Sequence, residues 1–162
     1  MADNAGDIVS IRPATEDDFG ILVEIEKSIQ VAPWTADHFK TELEKPYSHV
    51  WVLTDDETDS QIYGYVVFWF MMEDCHILNV GVDLPYRGMG YGKKMIRQAL
   101  NLAAREGKER AILEVRKTNA AAIQLYHSLG FTIGQVRKSF YSNGEDAYQM
   151  TLSIKDDGVI RI

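Results

Sequence analysis

The chain is read as an α/β protein with helices flanking one central sheet. Three observations point there. Apolar runs of strand length recur along the chain and are bounded by turn residues. Between them lie segments whose apolar residues fall at helical spacing, as in a helix with one buried face. A glycine-rich stretch, Arg87-Gly88-Met89-Gly90-Tyr91-Gly92, joins an apolar run to a helical segment.

Taken in order, Ile8 to Arg12 alternates and stops at Pro13, which predicts a first strand. Thr15 is a helix N-cap, with Glu16, Asp17 and Asp18 placed favourably in the first turn. Phe19, Leu22, Val23, Ile25 and Ile29 give that helix its apolar face. Ala32-Pro33-Trp34 breaks it, and Thr35 caps a short helix to about Glu44. His49 to Thr54 is a strand, and the polar run from Asp55 to Ser60 is a hairpin loop. Gln61 to Met71 is a long strand, with Cys75 to Val82 as its antiparallel neighbour. Lys93 to Glu106 is a helix, stopped by Gly107. Arg110 to Arg116 is a strand, and Asn119 to Leu129 a helix ending at Gly130. Phe131 to Tyr141 and Asp146 to Ile154 form a last hairpin around Ser142-Asn143-Gly144, before a loose tail from Lys155.

At 162 residues and 46% hydrophobic, the chain suits one domain with a sizeable core, from about residue 8 to 154. A net charge of -7 disfavours nucleic acid and anionic membrane surfaces as partners. The single cysteine, Cys75, excludes an intramolecular disulfide framework. Met1 to Asp7 shows no signal-peptide pattern, and Tyr63 to Met72 is about half the length of a membrane span. The expected location is the cytoplasm.

The glycine stretch carries the first chemistry. Glycine permits the tight geometry that aims successive N–H groups at one point, and the following helix adds unpaired donors and partial positive charge. Strand, glycine loop and helix together make an anion cradle suited to a pyrophosphate. A P-loop is excluded, because Lys94 stands where Ser or Thr is needed and Arg87 where the first glycine is needed. A dinucleotide fingerprint is excluded by the spacing of Gly88, Gly90 and Gly92. What remains, Arg87-x-x-Gly90-x-Gly92, resembles the acetyl-CoA loop of the GNAT family of N-acetyltransferases.

A second stretch extends the resemblance. Leu113-Glu114-Val115-Arg116, Asn119, Ala122-Ile123, Leu125-Tyr126 and Leu129-Gly130-Phe131 are similar to the strand and helix of the RimI-type N-terminal acetyltransferases in that family. Pro33-Trp34-Thr35 and Phe140-Tyr141 with Gly144-Glu145-Asp146-Ala147 resemble further segments of the same group. The likeness runs from about Ile11 to Leu152. It implies the GNAT fold, with a mixed, mostly antiparallel central sheet, and acetyl-CoA as cosubstrate. It also implies a protein N-terminus as acceptor, for which the group's ribosomal protein S18 is the leading candidate. Arg87 departs from the group's usual Gln, and Met89 from a basic or polar residue, which weakens phosphate binding slightly.

Acetyl transfer to an amine needs a neutral amine, a polarised thioester and a proton for the departing thiolate. An α-amine titrates at about 7.7–8.0 and a lysine at about 10.4, so an α-amine needs only a weak base near neutrality. Glu114 lies between Leu113 and Val115, either on a solvated strand face or in a cleft; the resemblance makes it the general base. Tyr126 is a core aromatic by its helical position; the resemblance makes its phenol the acid for the thiolate. Asn119 is an N-cap in its own right, and the resemblance adds a contact to the CoA arm. The resemblance likewise implies that the backbone of Val80, Gly81 and Val82 pairs with the pantetheine. The amides from Gly88 through Lys93 would hold the pyrophosphate.

His38, His49, His76 and His127 show no metal-ligand spacing, so no metal is expected. His38 and His127 are read as surface residues. His76 opens the strand expected beside Glu114, and is either a solvent-facing strand end or a group that binds the catalytic water. Cys75 has no identifiable partner base and is not read as a nucleophile. Glu26, Pro33, Trp34 and Tyr141 are the candidates for the peptide end of the site, Glu26 by attracting positive groups of the substrate. Two other functions fit the same fold: acetylation of a small-molecule amine or lysine, and non-enzymatic sensing of acetyl-CoA. The presence of both Glu114 and Tyr126 argues against a sensor.

Overall fold

A computed structural model describes residues 8–55 and 59–154. The elements are β1 (Val9–Pro13), α1 (Phe19–Ile29), α2 (Ala36–Glu44), β2 (Ser48–Asp55), β3 (Ile62–Met71), β4 (Asp74–Val82), α3 (Tyr91–Arg105), β5 (Arg110–Arg116), α4 (Ala120–Ser128), β6 (Thr132–Arg137) and β7 (Ala147–Ser153). The strands form a mostly antiparallel, seven-stranded sheet in the order β1-β2-β3-β4-β5-β7-β6. β1 pairs antiparallel with β2, and β5 and β6 each pair antiparallel with β7. β4 and β5 run parallel, as a connection through a helix allows.

The chain forms two compact units. One holds residues up to Val67 together with Asn79–Met95; the other holds Phe68–Leu78 together with the residues from Ile96 on. In the first, Thr15 and Asp18 close a capping box at a 3-10 turn, Glu16–Asp18, that leads into α1. Arg12 grips Asp18 with two hydrogen bonds, at 2.8 and 3.0 Å, and tethers that turn to β1. Thr35 caps α2, with His38 Nδ1 accepting from the Thr35 amide at 2.8 Å in place of the usual Glu. His38 is therefore a capping residue as well as a surface one. In the second unit, Met150, Leu113, Phe131 and Ala111 are buried from solvent and anchor β5, β7 and the end of α4.

Two expected boundaries shift. α3 begins at Tyr91 rather than Lys93, which draws Gly92 into its first turn. The last hairpin is shorter than its sequence pattern suggests: β6 ends at Arg137 and β7 begins at Ala147. Phe140 and Tyr141 therefore lie on the connection, not in a strand. The expected loop from Asp55 to Ser60 falls partly on residues 56–58, and the expected tail lies wholly outside the described residues.

Candidate active site

In the first unit, β4 leads into the glycine loop. Asp83 caps a 3-10 turn, Leu84–Tyr86, by accepting from the Leu84 amide. Gly88 and Gly90 both have φ of +80°, where a side chain would be strained, and a Cβ on either would meet nothing within 4 Å. α3 follows at once, its first helical bond running from Lys94 N to Gly90 O at 3.0 Å. The amides of Gly92 and Lys93 thus have no intrahelical acceptor and form a donor pair. These residues fit a pyrophosphate, with exposed Arg87 beside them. The Tyr91 ring is buried and stacks on Tyr63 at 5.2 Å. The Met89 side chain is exposed and adds no donor of its own.

Gly81 has a different reason from the one expected. A Cβ there would strike the Tyr65 hydroxyl at 2.2 Å, so Gly81 makes room for that ring. Pairing of β4 with β5 covers Asp74 to Ile77, so Val80, Gly81 and Val82 lie beyond it. Tyr65 donates to Glu26, which also accepts from the Trp34 amide and from Asn79 Nδ2, both at 2.7 Å. Glu26 is fully buried. It does not line an entrance or present charge to a peptide; it is an interior hub that fixes the turn carrying Pro33 and Trp34. A buried carboxyl needs such partners, and here every one of them is a neutral donor. Burial, then the charge of Glu26, raises the Tyr65 phenol, which stays protonated as a donor. Pro33 is exposed, while Trp34 is half-buried with its ring edge-on to Phe39 at 5.2 Å.

In the second unit, a polar ladder crosses four strands. Gln135 on β6 donates to Gln149 on β7 at 2.8 Å. Gln149 donates to Glu114 Oε2 on β5 at 3.1 Å. Glu114 Oε1 meets His76 Nε2 on β4 at 2.7 Å. Trp69 on β3 stands edge-on to the imidazole at 6.2 Å. Glu114 does not sit on a solvated strand face: 9% of its side chain is exposed. Burial raises its pKa, but hydrogen bonds from His76 and Gln149 and the charge of Arg137, 3.9 Å away, more than offset that. The net direction is down, so Glu114 is a carboxylate at neutral pH. His76 is bound to Glu114 directly rather than standing free at a strand end.

Tyr126 is placed by the end of α4. Phe131 N bonds to Tyr126 O and Gly130 N to His127 O, both at 3.0 Å, with Gly130 at φ +99°. This is a Schellman motif, and its usual apolar contact is Tyr126 against Phe131, ring centroids 6.0 Å apart. Burial pushes the Tyr126 phenol up to about 12. Among the described residues its hydroxyl has no hydrogen-bond partner. It is thus a protonated donor with no acceptor among the described residues. Asn119 caps α4 through its side-chain oxygen, which accepts from Ala122 N at 3.1 Å. Tyr141 is half-buried under the Arg116 guanidinium. Burial raises its phenol; the charge of Arg116 opposes the rise, and that of Glu114 adds to it.

Gln149, Gln135, Arg137 and Arg116 belong to this constellation and were not singled out from the sequence. Gln149 becomes visible only through register, since it is the direct partner of Glu114. Cys75 is buried, and burial pushes its thiol up to about 12, which leaves it inert at neutral pH. Among the described residues no group of three or more His, Cys, Asp or Glu side chains is placed to hold a metal ion. No helix among them is long and apolar enough to cross a membrane.

Comparison with known proteins places this geometry. Residues 19–131 match the model of the acetyltransferase (GNAT) family. The chain is 37% identical over 149 residues to a Bacillus subtilis (strain 168) protein provisionally named as a ribosomal protein bS18-alanine N-acetyltransferase, covering 91% of this chain and 97% of that one. It is 28% identical over 140 residues to the ribosomal protein bS18-alanine N-acetyltransferase of Escherichia coli (strain K12), covering 85% and 92%. The crystal structure of the ribosomal-protein-S18-alanine N-acetyltransferase from Escherichia coli superposes with a TM-score of 0.82 at 26% identity, covering 92% of this chain and 96% of that one.

Proposed function

Since this chain belongs to the acetyltransferase (GNAT) family and is an acetyl-CoA-dependent N-acetyltransferase, we propose that its acceptor is the α-amine of a protein N-terminus, namely the N-terminal alanine of ribosomal protein bS18. The observation that carries this reading is Glu114, a nearly enclosed carboxylate held ionised by His76 and Gln149. So weak a base does not suit a lysine, which is almost wholly charged near neutrality, but does suit an α-amine that is already partly neutral.

Acetyl-CoA supplies the acetyl group as a thioester. The amides of Gly88 to Lys93 receive its pyrophosphate, and Asn119 donates to the CoA arm. The backbone of Val80 to Val82 pairs with the pantetheine as a strand would, and an N–H there polarises the thioester carbonyl. Glu114 takes the proton of the attacking nitrogen, directly or through one water, as that nitrogen becomes acidic on forming the new bond. His76 keeps the Glu114 carboxylate oriented for that step. Tyr126 gives its proton to the thiolate, for which its unpartnered hydroxyl is suited. Tyr141 walls the space for the first residue and leaves room for a small one.

Peptides that differ only in their first residue test this. After incubation with acetyl-CoA, mass spectrometry is expected to show Ala acetylated at least about tenfold faster than Leu or Phe, the scale on which pocket size discriminates. Equal rates across the series would remove the alanine assignment.

A further inference from the structure

We propose that Arg116 is a positioning residue that sets acceptor specificity: its guanidinium, stacked on Tyr141 and anchored by Glu145 and Asn143, fixes the 138–146 connection as the wall against which the first residue is measured. This rests on the reading above that Tyr141 borders the acceptor.

Arg116 ends β5 two residues after Glu114, so both side chains leave the same face of the strand. Its guanidinium carbon lies 3.8 Å from the centre of the Tyr141 ring. The same group donates to Glu145 Oε1 and to Asn143 Oδ1, each at 3.2 Å. Glu145 is itself fixed, its second oxygen accepting from Thr118 Oγ1 at 3.0 Å and its first from Asn143 Nδ2 at 2.6 Å. The backbone closes the same unit: Tyr141 N bonds to Glu145 O at 3.1 Å, and Gly144 N to Tyr141 O at 2.9 Å. The guanidinium is thus held between an aromatic face and a carboxylate, with 15% of its side chain exposed.

These contacts run from the end of β5 to the connection, not into the core. The pairing of β5 with β7 and the cap of α4 are made by other groups. A second guanidinium, Arg137, lies 5.3 Å from the Phe140 ring and 3.9 Å from Glu114. The two aromatics of the connection are therefore each held by an arginine. A planar guanidinium can stack face-on and still hydrogen-bond in its own plane; a lysine keeps the charge but not that geometry.

The test compares Arg116→Met, Arg116→Lys, Tyr141→Ala and the double variant Arg116→Met/Tyr141→Ala on peptides beginning with Ala or Leu. Acetyl-CoA affinity is measured alongside by calorimetry. Arg116→Met is expected to raise the KM for the Ala peptide about tenfold, as loss of a partly desolvated cation–π contact and its hydrogen bonds implies. It should also shrink the Ala-to-Leu ratio of kcat/KM while acetyl-CoA affinity is kept. Arg116→Lys should restore part of the ratio. The double variant should resemble Tyr141→Ala alone, because both changes remove one wall. If Tyr141→Ala shrinks the ratio and Arg116→Met does not, Arg116 is not a positioning residue and the wall stands. If Tyr141→Ala leaves the ratio unchanged, the wall itself is wrong and the inference falls with it. Should Arg116→Met fold poorly, Glu145→Gln loosens the same clamp from its more exposed side and is judged by the same ratio.

Discussion

Glu114→Gln is expected to lower turnover by about 10²–10⁴, the range for loss of a general base, with acetyl-CoA affinity kept. Glutamine preserves the shape and still accepts one hydrogen bond, so the ladder through Gln149 and His76 loses charge rather than volume. The loss should shrink as pH rises past about 8, where an α-amine deprotonates without help. In the native enzyme the acid limb of the rate profile should belong to the amine, because the pKa of Glu114 lies below its ordinary value and the group is already ionised there. The same depression makes a stability statement. Glu114 contributes stability above its unfolded pKa of about 4.5, and the contribution is lost as pH falls through the lower folded value. Glu114→Gln should accordingly be less stable than the native chain at pH 7, with the gap closing in acid. Steady-state rates across pH, with thermal melts beside them, check both parts.

Tyr126→Phe is expected to slow the chemical step by about 10²–10³, within the range for loss of a general acid. The substitution is clean. The ring keeps its contact with Phe131, and the hydroxyl has no partner among the described residues to lose. Stability and acetyl-CoA affinity should therefore hold while single-turnover rates fall. Because burial pushes this phenol up to about 12, the native enzyme should show no loss of the acid through pH 7–9. A Tyr126→Phe rate equal to the native one would return Tyr126 to core packing alone.

The elements with local punctuation were legible in the sequence. α2 starts where Thr35 says it should, and β5 covers the expected Arg110 to Arg116, because an N-cap and an alternating run are local signals. The last hairpin was not, since Phe140 and Tyr141 have strand character but are held on the connection by Arg137 and Arg116. Glu26 was misplaced for a related reason. One acid on an amphipathic helix reads as a surface charge, and its partners Tyr65 and Asn79 lie 39 and 53 residues away. The missing side chain at Gly81 looked like room for a ligand and is taken up by the Tyr65 ring, which leaves only its backbone for that role. Glu114 and Tyr126 were found through family resemblance. Their surroundings, a ladder of Gln135, Gln149 and His76 and a Schellman motif at Gly130, depend on strand order and helix termination that periodicity does not carry.

The central claim is that this enzyme acetylates an α-amine rather than a lysine. One peptide prepared in two forms tests it most directly: N-terminus free or blocked, with the same internal lysine in both. The free form is expected to gain one acetyl group at its N-terminus, read by fragment masses. The blocked form should react more than about 100-fold more slowly near pH 7, in line with the neutral fractions of the two amines. Equal reaction of the blocked peptide, with acetyl on the lysine, would contradict the claim.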